Sequence, residues 1–503
     1  MRQYLGPKLY NKYFILLLIS IVLIACKEEV YKTENFSDYK SCFIGDIEIK
    51  AGAIFETYES PYVLDKSQCK SQLRSCKNGN LDPGYPFFSC QILESLMTED
   101  KSLYEYVTTS NAGIDFSTII FNDPIEASSN AVWLFLASAQ ENKIQVFWPD
   151  GNSDNFSVQE NTVTTVSVDT KFKIINNMVI ENDKVIKITS ENPITVYGLN
   201  RAPNQTDAYV AIPTINLGTE YYIGTFASQY GSQVIIAASE DNTTINIYPN
   251  DYLDNQTLVL GAGESYLYES TGSQDLTGTK VVANKKIGVY AGSTWSEIPT
   301  PFIGTGDVLL EQMLPVSSWK DNFLTYPLAG RTGGDTIRII AKEDNTTVFE
   351  DGIQVASLDD QEYWERNDQR NSANYSSNKP VMLVHYENTL AYDGSVNGDP
   401  FIMAVPGIDQ YLTSYLFTVP SLSFAEDYAN IIVHKDSLKS TKIDGSTINQ
   451  NLFNSIVGTD YYGATISLDE GSHILTSDLP FGLFVYGTDG VESYGYSGGF
   501  NLQ

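Results

Sequence analysis

"NKKIGVYAGS", residues 284–293, decides the fold, because the chain writes variants of it four times. In each, a corner of Asn, Lys or Pro leads into an apolar run that reaches an aromatic or His. The other three are "NPITVYGLN" (192–200), "NKPVMLVHYEN" (378–388) and "LPFGLFVYGT" (479–488). Their marker residues Tyr197, Tyr290, His385 and Tyr486 are spaced by 93, 95 and 101 positions. Self-similarity at a near-constant period is the mark of a repeated structural unit. From about residue 110 onward, short runs of Val, Ile, Tyr, Phe and Thr alternate with Gly, Asn, Asp and Pro turns. No long stretch has a 3.6-residue period, so the repeats are read as all-β.

Two further markers share the period. One is an apolar run, an acidic turn and a second run: "LASAQENKIQVFWPDG" from Leu136, "ASEDNTTINIYPN" from Ala238, "AKEDNTTVFEDG" from Ala341 and, more loosely, "IVHKDSLKSTKIDG" from Ile432. A hairpin needs Asp or Asn at such a place to accept backbone hydrogen bonds and reverse the chain. The slot is rewritten as Gln140-Glu141-Asn142 in the first copy and Lys435-Asp436-Ser437 in the fourth. A catalytic acid is not expected to vary so freely between copies, and the motif reads as architectural. Calcium is the alternative, but it takes roughly six to eight oxygens and one turn supplies too few; no cofactor is expected. The third marker is an apolar pair leading into Pro213, Pro315 and Pro406.

Longer stretches carry a family resemblance. "IPTINLGTEYYIGTF" (212–226), "DLTGTKVVANKKIGVYAGS" (275–293), "LEQMLPVSSWKDNFLTYPLAGRTGGDTIRIIAKEDNTTV" (310–348) and "NGDPFIMAVPGIDQYLTSYLFTVPS" (397–421) resemble the N-terminal domain of the IgGFc-binding protein family. The likeness is clear over roughly residues 200 to 425 and thins toward "SYGYSGG" (493–499). That family is known from a mucus-associated animal protein and from bacterial surface proteins. The resemblance implies a binding protein whose ligand is a mucin-like glycoprotein, immunoglobulin Fc, matrix or another cell surface. Animal members tend to carry cysteines after the second repeat, where "STWSEIPTPFIGTGD" (293–307) has none.

The N-terminal end points to export. Arg2, Lys8 and Lys12 precede the apolar run Phe14 to Ile24, which has the layout of a secretory signal and is too short to span a bilayer. "LIAC" (23–26) resembles the lipobox of bacterial lipoproteins, which assigns lipidation to Cys26 after removal of residues 1–25. The "KEE" that follows resembles a tag for display outside the outer membrane. An acylated Cys26 would hold the chain on that membrane.

After residues 26–41, read as a linker, come Cys42, Cys69, Cys76 and Cys90, and no cysteine follows. A clustered even set in an exported chain implies two disulfides, with three pairings open, in a small module spanning 42–90. Removing the leader takes the formal charge from −31 to −34. That excess of acid excludes nucleic acid, which needs clustered Lys and Arg.

The candidate site lies in the segments between the marker strand and the Pro strand. These begin at Tyr197, Tyr290 and His385, and each carries an Asp: Asp207, Asp307 and Asp399. Trp295, Tyr392 and Tyr494 add aromatic faces and Arg201 a cation, a set suited to sugar stacking or to anchoring a protein partner. Catalysis is not expected. His385, His434 and His473 have no metal spacing, and no nucleophile elbow or P-loop is present.

The sequence therefore predicts a lipid-anchored outer-membrane protein with a row of four β-sandwich-like units over 110–503, divided at roughly 110–206, 207–306, 307–398 and 399–503. A propeller-like ring of the same repeats is the alternative arrangement. The expected function is non-enzymatic surface adhesion, with a glycan-processing hydrolase or a surface-layer component as alternatives.

Overall fold

The computed structural model describes residues 41–44, 47–50, 53–58, 62–63, 71–77, 80–81, 91–92, 110–121, 131–250, 254–301, 304–394 and 397–502. The leader, Cys26, Cys69 and Cys90 lie outside them. The chain divides into two units, Met1–Leu96 and Met97–Gln503.

In the first unit Cys42–Ile44 pairs with Ile47–Ile49, and Ser71–Lys77 pairs with both Ile54–Tyr58 and Asn80–Leu81. Cys42 and Cys76 form a disulfide. Around it are buried Ile49 and partly buried Ala53, Phe55 and Leu81. So small an apolar cluster holds little free energy, which is why a covalent staple matters here.

The second unit is built on four long strands: β1 (Ile186–Ala202), β3 (Lys280–Ser296), β5 (Ala373–Tyr386) and β7 (Gly471–Asp489). Each is followed by a short strand that pairs back on its second half: β2 (Gln205–Val210), β4 (Asp307–Gln312), β6 (Ile402–Val405) and β8 (Glu492–Ser497). The long strand serves two layers. In β3, residues 280–283 pair with Thr243–Tyr248, whereas residues 287–293 pair with Ser232–Ala238. Its first half alternates buried and open positions, as a strand with one wet face must. From Ile287 to Thr294 every residue is buried, because that half is covered on both faces. The corner "NKK" is where the strand changes layer.

This geometry brings the first two sequence markers together. Asn284 Oδ1 accepts from Thr244 N (2.8 Å), and Lys285 Nζ donates to Asp241 O (2.6 Å). The third repeat repeats the arrangement with Asn378 on Thr347 N (2.8 Å) and Lys379 on Asp344 O (2.6 Å). Within the turns, Asn242 and Asn345 adopt φ of 55° and 57°. This left-handed region is one Asn tolerates better than most residues. Asp241 and Asp344 accept from Ala262 N and Asp360 N (2.9 and 3.0 Å). The acidic motif is a hairpin turn riveted to the strand corner behind it.

The repeats are sandwich-like, all-β, and closed into a ring. One tyrosine hydroxyl in each reaches the preceding repeat. Tyr290 donates to Ser117 O (3.0 Å), Tyr386 to Thr225 O (2.8 Å), and Tyr486 accepts from Ala329 N (2.9 Å). Tyr197 of the first repeat donates to Gly498 O of the fourth (2.8 Å). The seam is completed by Asn111, whose N donates to Phe500 O (3.0 Å) and whose Oδ1 accepts from Phe500 N (2.9 Å). At the centre β2 touches β4 and β8, and β6 touches the same two strands. A row would leave two terminal repeats with an uncovered face; the ring leaves none.

The predicted repeat boundaries shift. Cuts at 206/207, 306/307 and 398/399 would sever or separate β2, β4 and β6 from the long strands they pair with. The break falls instead after Pro213, Pro315 and Pro406, where short 3₁₀ turns begin at Thr214, Val316 and Ile408. His385 is 4% exposed and bonds Asp335 within its own repeat (3.0 Å), so it is a core residue.

Candidate functional site

The inner edges of β2, β4, β6 and β8 face one another around the ring axis, so some of their backbone N–H groups have no strand to pair with. Buried N–H groups need acceptors. Side-chain carboxyls supply them. Asp207 Oδ1 accepts from Ala208 N (2.8 Å) and Gly495 N (3.4 Å), and its Oδ2 from Leu310 N (2.9 Å) and Ile402 N (3.3 Å). One carboxyl thus gathers donors from all four repeats. Asp307 accepts from Thr206 N, Val308 N and Ser493 N (2.8, 2.7 and 3.3 Å). Glu311 accepts from Gln312 N and Ala404 N (2.9 and 3.0 Å), and Gln312 Oε1 from Ile212 N (2.9 Å).

Burial raises the pKa of each of these acids. Asp207 and Asp307 lie well above the usual carboxylate range, pushed by desolvation and pulled back by their N–H donors; Asp399 and Asp207 add like-charge repulsion on Asp307. Burial raises Glu311 to about 8 and Asp399 to about 7.

Most of the expected ligand residues are therefore structural. Asp207, Asp307 and Asp399 are fully enclosed: the first two bond the inner strands at the axis, and the Asp399 carboxyl bonds Thr305 between the loops. Tyr494 is also enclosed, its hydroxyl donating to Asp427 Oδ1 (2.7 Å). Arg201 is half-buried and spent on Glu492, with Nε to Oε2 at 3.0 Å. Glu492 also accepts from Asn204 N and Thr206 Oγ1 (3.1 and 3.2 Å), which makes it a clasp between the first and fourth repeats. Nothing in the sequence pattern marks Glu492 or Glu311, because their roles exist only once the ring is closed.

The expected long loops are present in two repeats. In the first, β1 turns into β2 through Pro203 and Asn204 alone, and in the fourth β7 turns into β8 through Gly490 and Val491. The second- and third-repeat segments are longer, described over 297–301, 304–306, 387–394 and 397–401 with a helical turn at Leu390–Asp393, and they bind each other. Thr389 N donates to Ile298 O (2.8 Å) and Ile298 N to Thr389 Oγ1 (3.0 Å). Thr305 Oγ1 donates to Asp399 Oδ1 (2.7 Å), and Gly398 N to Gly490 O (2.9 Å). Glu297 draws in a further segment through Ser228 and Gln229 (both 3.0 Å). These contacts form one continuous loop face at one end of the axis.

Two of the expected aromatics are on this face. Tyr392 is 38% exposed, and Trp295 is half-buried with its indole edge against Gly306. Tyr230, 56% exposed beside Gln229, was not singled out by the sequence, since a lone Tyr in "SQYGS" (228–232) has no periodic signal. Among the described residues, no group of three His, Cys, Asp or Glu is placed to hold a metal ion.

The family model described as IgGFc binding protein matches residues 207–487, more than half of the chain. The human IgGFc-binding protein is 23% identical over 369 residues, which is 69% of this chain but only 6% of the human one. The crystal structure of chicken CNTN1 FN1-FN3 domains aligns over 76% of this chain and 96% of that one at 8% identity, with a TM-score of 0.11. A score that low carries no argument about the fold.

Proposed function

Because this chain belongs to the IgGFc binding protein family, we propose that it is a non-enzymatic adhesion protein that takes a protein or glycoprotein ligand on the loop face of its ring. The observation that carries this reading is the pairing of hydrogen-bonded loops with the exposed rings of Tyr392 and Tyr230 and the half-buried Trp295. The loops of 297–306 and 387–401 are fastened to each other and to the axis, and Tyr392, Tyr230 and Trp295 lie on or beside them. Aromatic side chains on pre-ordered backbone give contact area at small entropic cost, which suits a mucin-like glycoprotein, immunoglobulin Fc, matrix or another cell. Anchorage through a lipidated Cys26 would hold the chain on the outer face of the outer membrane.

The hydrolase alternative is less well supported. Glycoside hydrolysis needs two carboxyls that reach the substrate, and Asp207, Asp307, Glu311 and Asp399 are all enclosed. The test is binding of a soluble chain, residues 27–503, to immobilised mucin, Fc and a polysaccharide panel, with and without calcium. Saturable binding weakened by Tyr392→Ala, Tyr230→Ala and Trp295→Ala is expected. No binding to any of them would overturn the adhesion reading and leave the surface-layer role.

A further inference from the structure

In each repeat a core strand pairs with the long strand on one side and with an outer strand on the other. The outer strands are Thr162–Ser167, Ser265–Glu269, Tyr363–Gln369 and Tyr461–Ser467. The free side of such a strand presents backbone N–H and C=O groups that need partners. In the second repeat the first repeat supplies them. Ile180–Glu181 pairs with Tyr266 and Ser265, and Met178 N donates to Leu267 O (2.8 Å). Asn177 Oδ1 accepts from Glu269 N (2.9 Å), and its Nδ2 donates to Glu269 O (3.1 Å). In the fourth repeat Asn454–Ser455 pairs with Gly463 and Tyr462, and Ile456 N donates to Tyr461 O (2.9 Å). In the first, strand Leu412–Val419 and β7 lie against Thr162–Ser167, and Ser472 Oγ accepts from Val163 N (3.2 Å).

Among the described residues no strand covers Tyr363–Gln369, which ends its sheet. Residues 363 to 367 are partly exposed, whereas Ser265 to Tyr268 are buried. Ala341 N donates to Glu362 O (2.9 Å) and Ala238 N to Glu264 O (3.0 Å). Three residues on lie Glu365 and Leu267, which therefore hold the same place in the two ladders. Bonded groups alternate along an antiparallel pair, so Glu365, like Leu267, turns its N–H and C=O away from the core strand. Asn367 O, the next such group, is already taken by Asn388 Nδ2 (3.2 Å), which keeps the open stretch about as short as the segment 177–181. The first-repeat segment that reaches across to its neighbour is 168–185. Its second-repeat counterpart, 270–279, is shorter and is held to Arg338 through Asp275 (2.7 Å).

We propose that the outer edge of Tyr363–Gln369 takes an extended segment of a partner protein by strand addition, one that carries Lys or Arg at alternating positions. The equivalent edges of the second and fourth repeats each hold a short strand, which fixes the form of the occupant. Charge fixes its chemistry. The strand and the turn before it carry Asp359, Asp360, Glu362, Glu365 and Asp368 against Arg366 and Arg370. Arg366 is spent on Glu350 and Asp368, and Arg370 Nε donates to Gly333 O (3.3 Å). The excess of acid draws a basic segment. A second copy fits poorly, since antiparallel pairing centred on Glu365 would set two glutamates opposite each other. This edge is separate from the aromatics Tyr392, Tyr230 and Trp295, and the proposal stands whether or not mucin, Fc or glycan binds there.

The probe is a short synthetic peptide alternating Lys and Val, with a Glu–Val peptide and a fully N-methylated Lys–Val peptide as controls. Hydrogen–deuterium exchange on residues 27–503 is read at the four outer strands. Saturating Lys–Val peptide is expected to protect residues 363–367 roughly tenfold and to leave 265–269 and 461–467 unchanged, since those edges are already covered. Both control peptides should bind roughly tenfold more weakly, and Asp368→Lys, at an exposed side chain, should weaken the Lys–Val peptide about threefold. Equal affinity for the N-methylated peptide would reduce the effect to charge and overturn strand addition. Protection at 162–167 instead would move the site to the first repeat and overturn the assignment. Protection at 363–367 that rises with protein concentration before any peptide is added would make a second copy the occupant, against the proposal. No protection by any peptide would show that the charges on this strand keep partners off.

Discussion

Replacing Asp207 with Ala tests whether the ring is held at its axis. Its carboxyl takes two well-made bonds, from Ala208 N at 2.8 Å and Leu310 N at 2.9 Å, and two longer ones from Ile402 N and Gly495 N. Orphaning a buried donor costs about 1–3 kcal/mol, so the two good bonds alone set a loss of roughly 2–6 kcal/mol. For a unit of roughly 390 residues the unfolding entropy is about 0.8 kcal/mol/K, so the melting temperature should drop by about 2–7 °C. Burial of a raised-pKa acid gives back part of this above neutral pH, so the measurement belongs near pH 6. Asp207→Asn separates charge from geometry, since its amide keeps one acceptor and turns a donor toward N–H groups. It should fall between Ala and the unmodified chain or below both. Thermal unfolding followed by circular dichroism, with exposed Asp409→Asn as the control, reads the effect. A shift under 1 °C for Asp207→Ala would show that the four central strands are held by apolar packing alone, and the account of the axis would fail.

Removing the Tyr197 hydroxyl with Phe takes away the bond to Gly498 O (2.8 Å) that crosses the seam between first and fourth repeats. A loss of about 1 kcal/mol is expected, with urea unfolding as the check and an unchanged midpoint as the contrary result. Stability of the ring should decline as pH rises from 6 to 9. Glu311 and Asp399, raised by burial to about 8 and about 7, are stabilising only while protonated; a profile that is flat or climbs over that range refutes the assignment. Tyr392→Ala should leave the melting temperature unchanged, as the residue is exposed, while lowering ligand affinity at least tenfold in surface plasmon resonance. Reduction of Cys42–Cys76 frees a span of 34 residues. By loop entropy that costs the first unit about 3–4 kcal/mol, which protease cutting within residues 42–77 would reveal before any cut beyond residue 110.

What the sequence could and could not reveal divides along a physical line. Repeats, strand class and turn chemistry are local. An Asn in the left-handed region of a hairpin, or a strand passing from alternating to continuous burial at "NKK", leaves its mark on neighbouring residues. The marker tyrosines were visible for the same reason, though their purpose was not: Tyr290 is conspicuous at its place in the strand, but its partner Ser117 is 173 positions away. The acids show the limit most plainly. Asp207, Asp307 and Asp399 look like ligand residues, because acids that follow a turn and precede an apolar strand are ordinarily exposed. Asp207 and Asp307 are buried because four inner strand edges converge, and converging edges need acceptors that no strand can supply; Asp399 is buried where the two loops meet, on Thr305. In a row of separate sandwiches the same three residues would point into solvent. Their burial is thus a consequence of closure, and closure is fixed by contacts as distant as Asn111 with Phe500. The proposed binding face rests on the same fact: with the axis filled by carboxyls bonded to backbone, the proposal looks to the loops at its end, where Tyr230, Trp295 and Tyr392 lie.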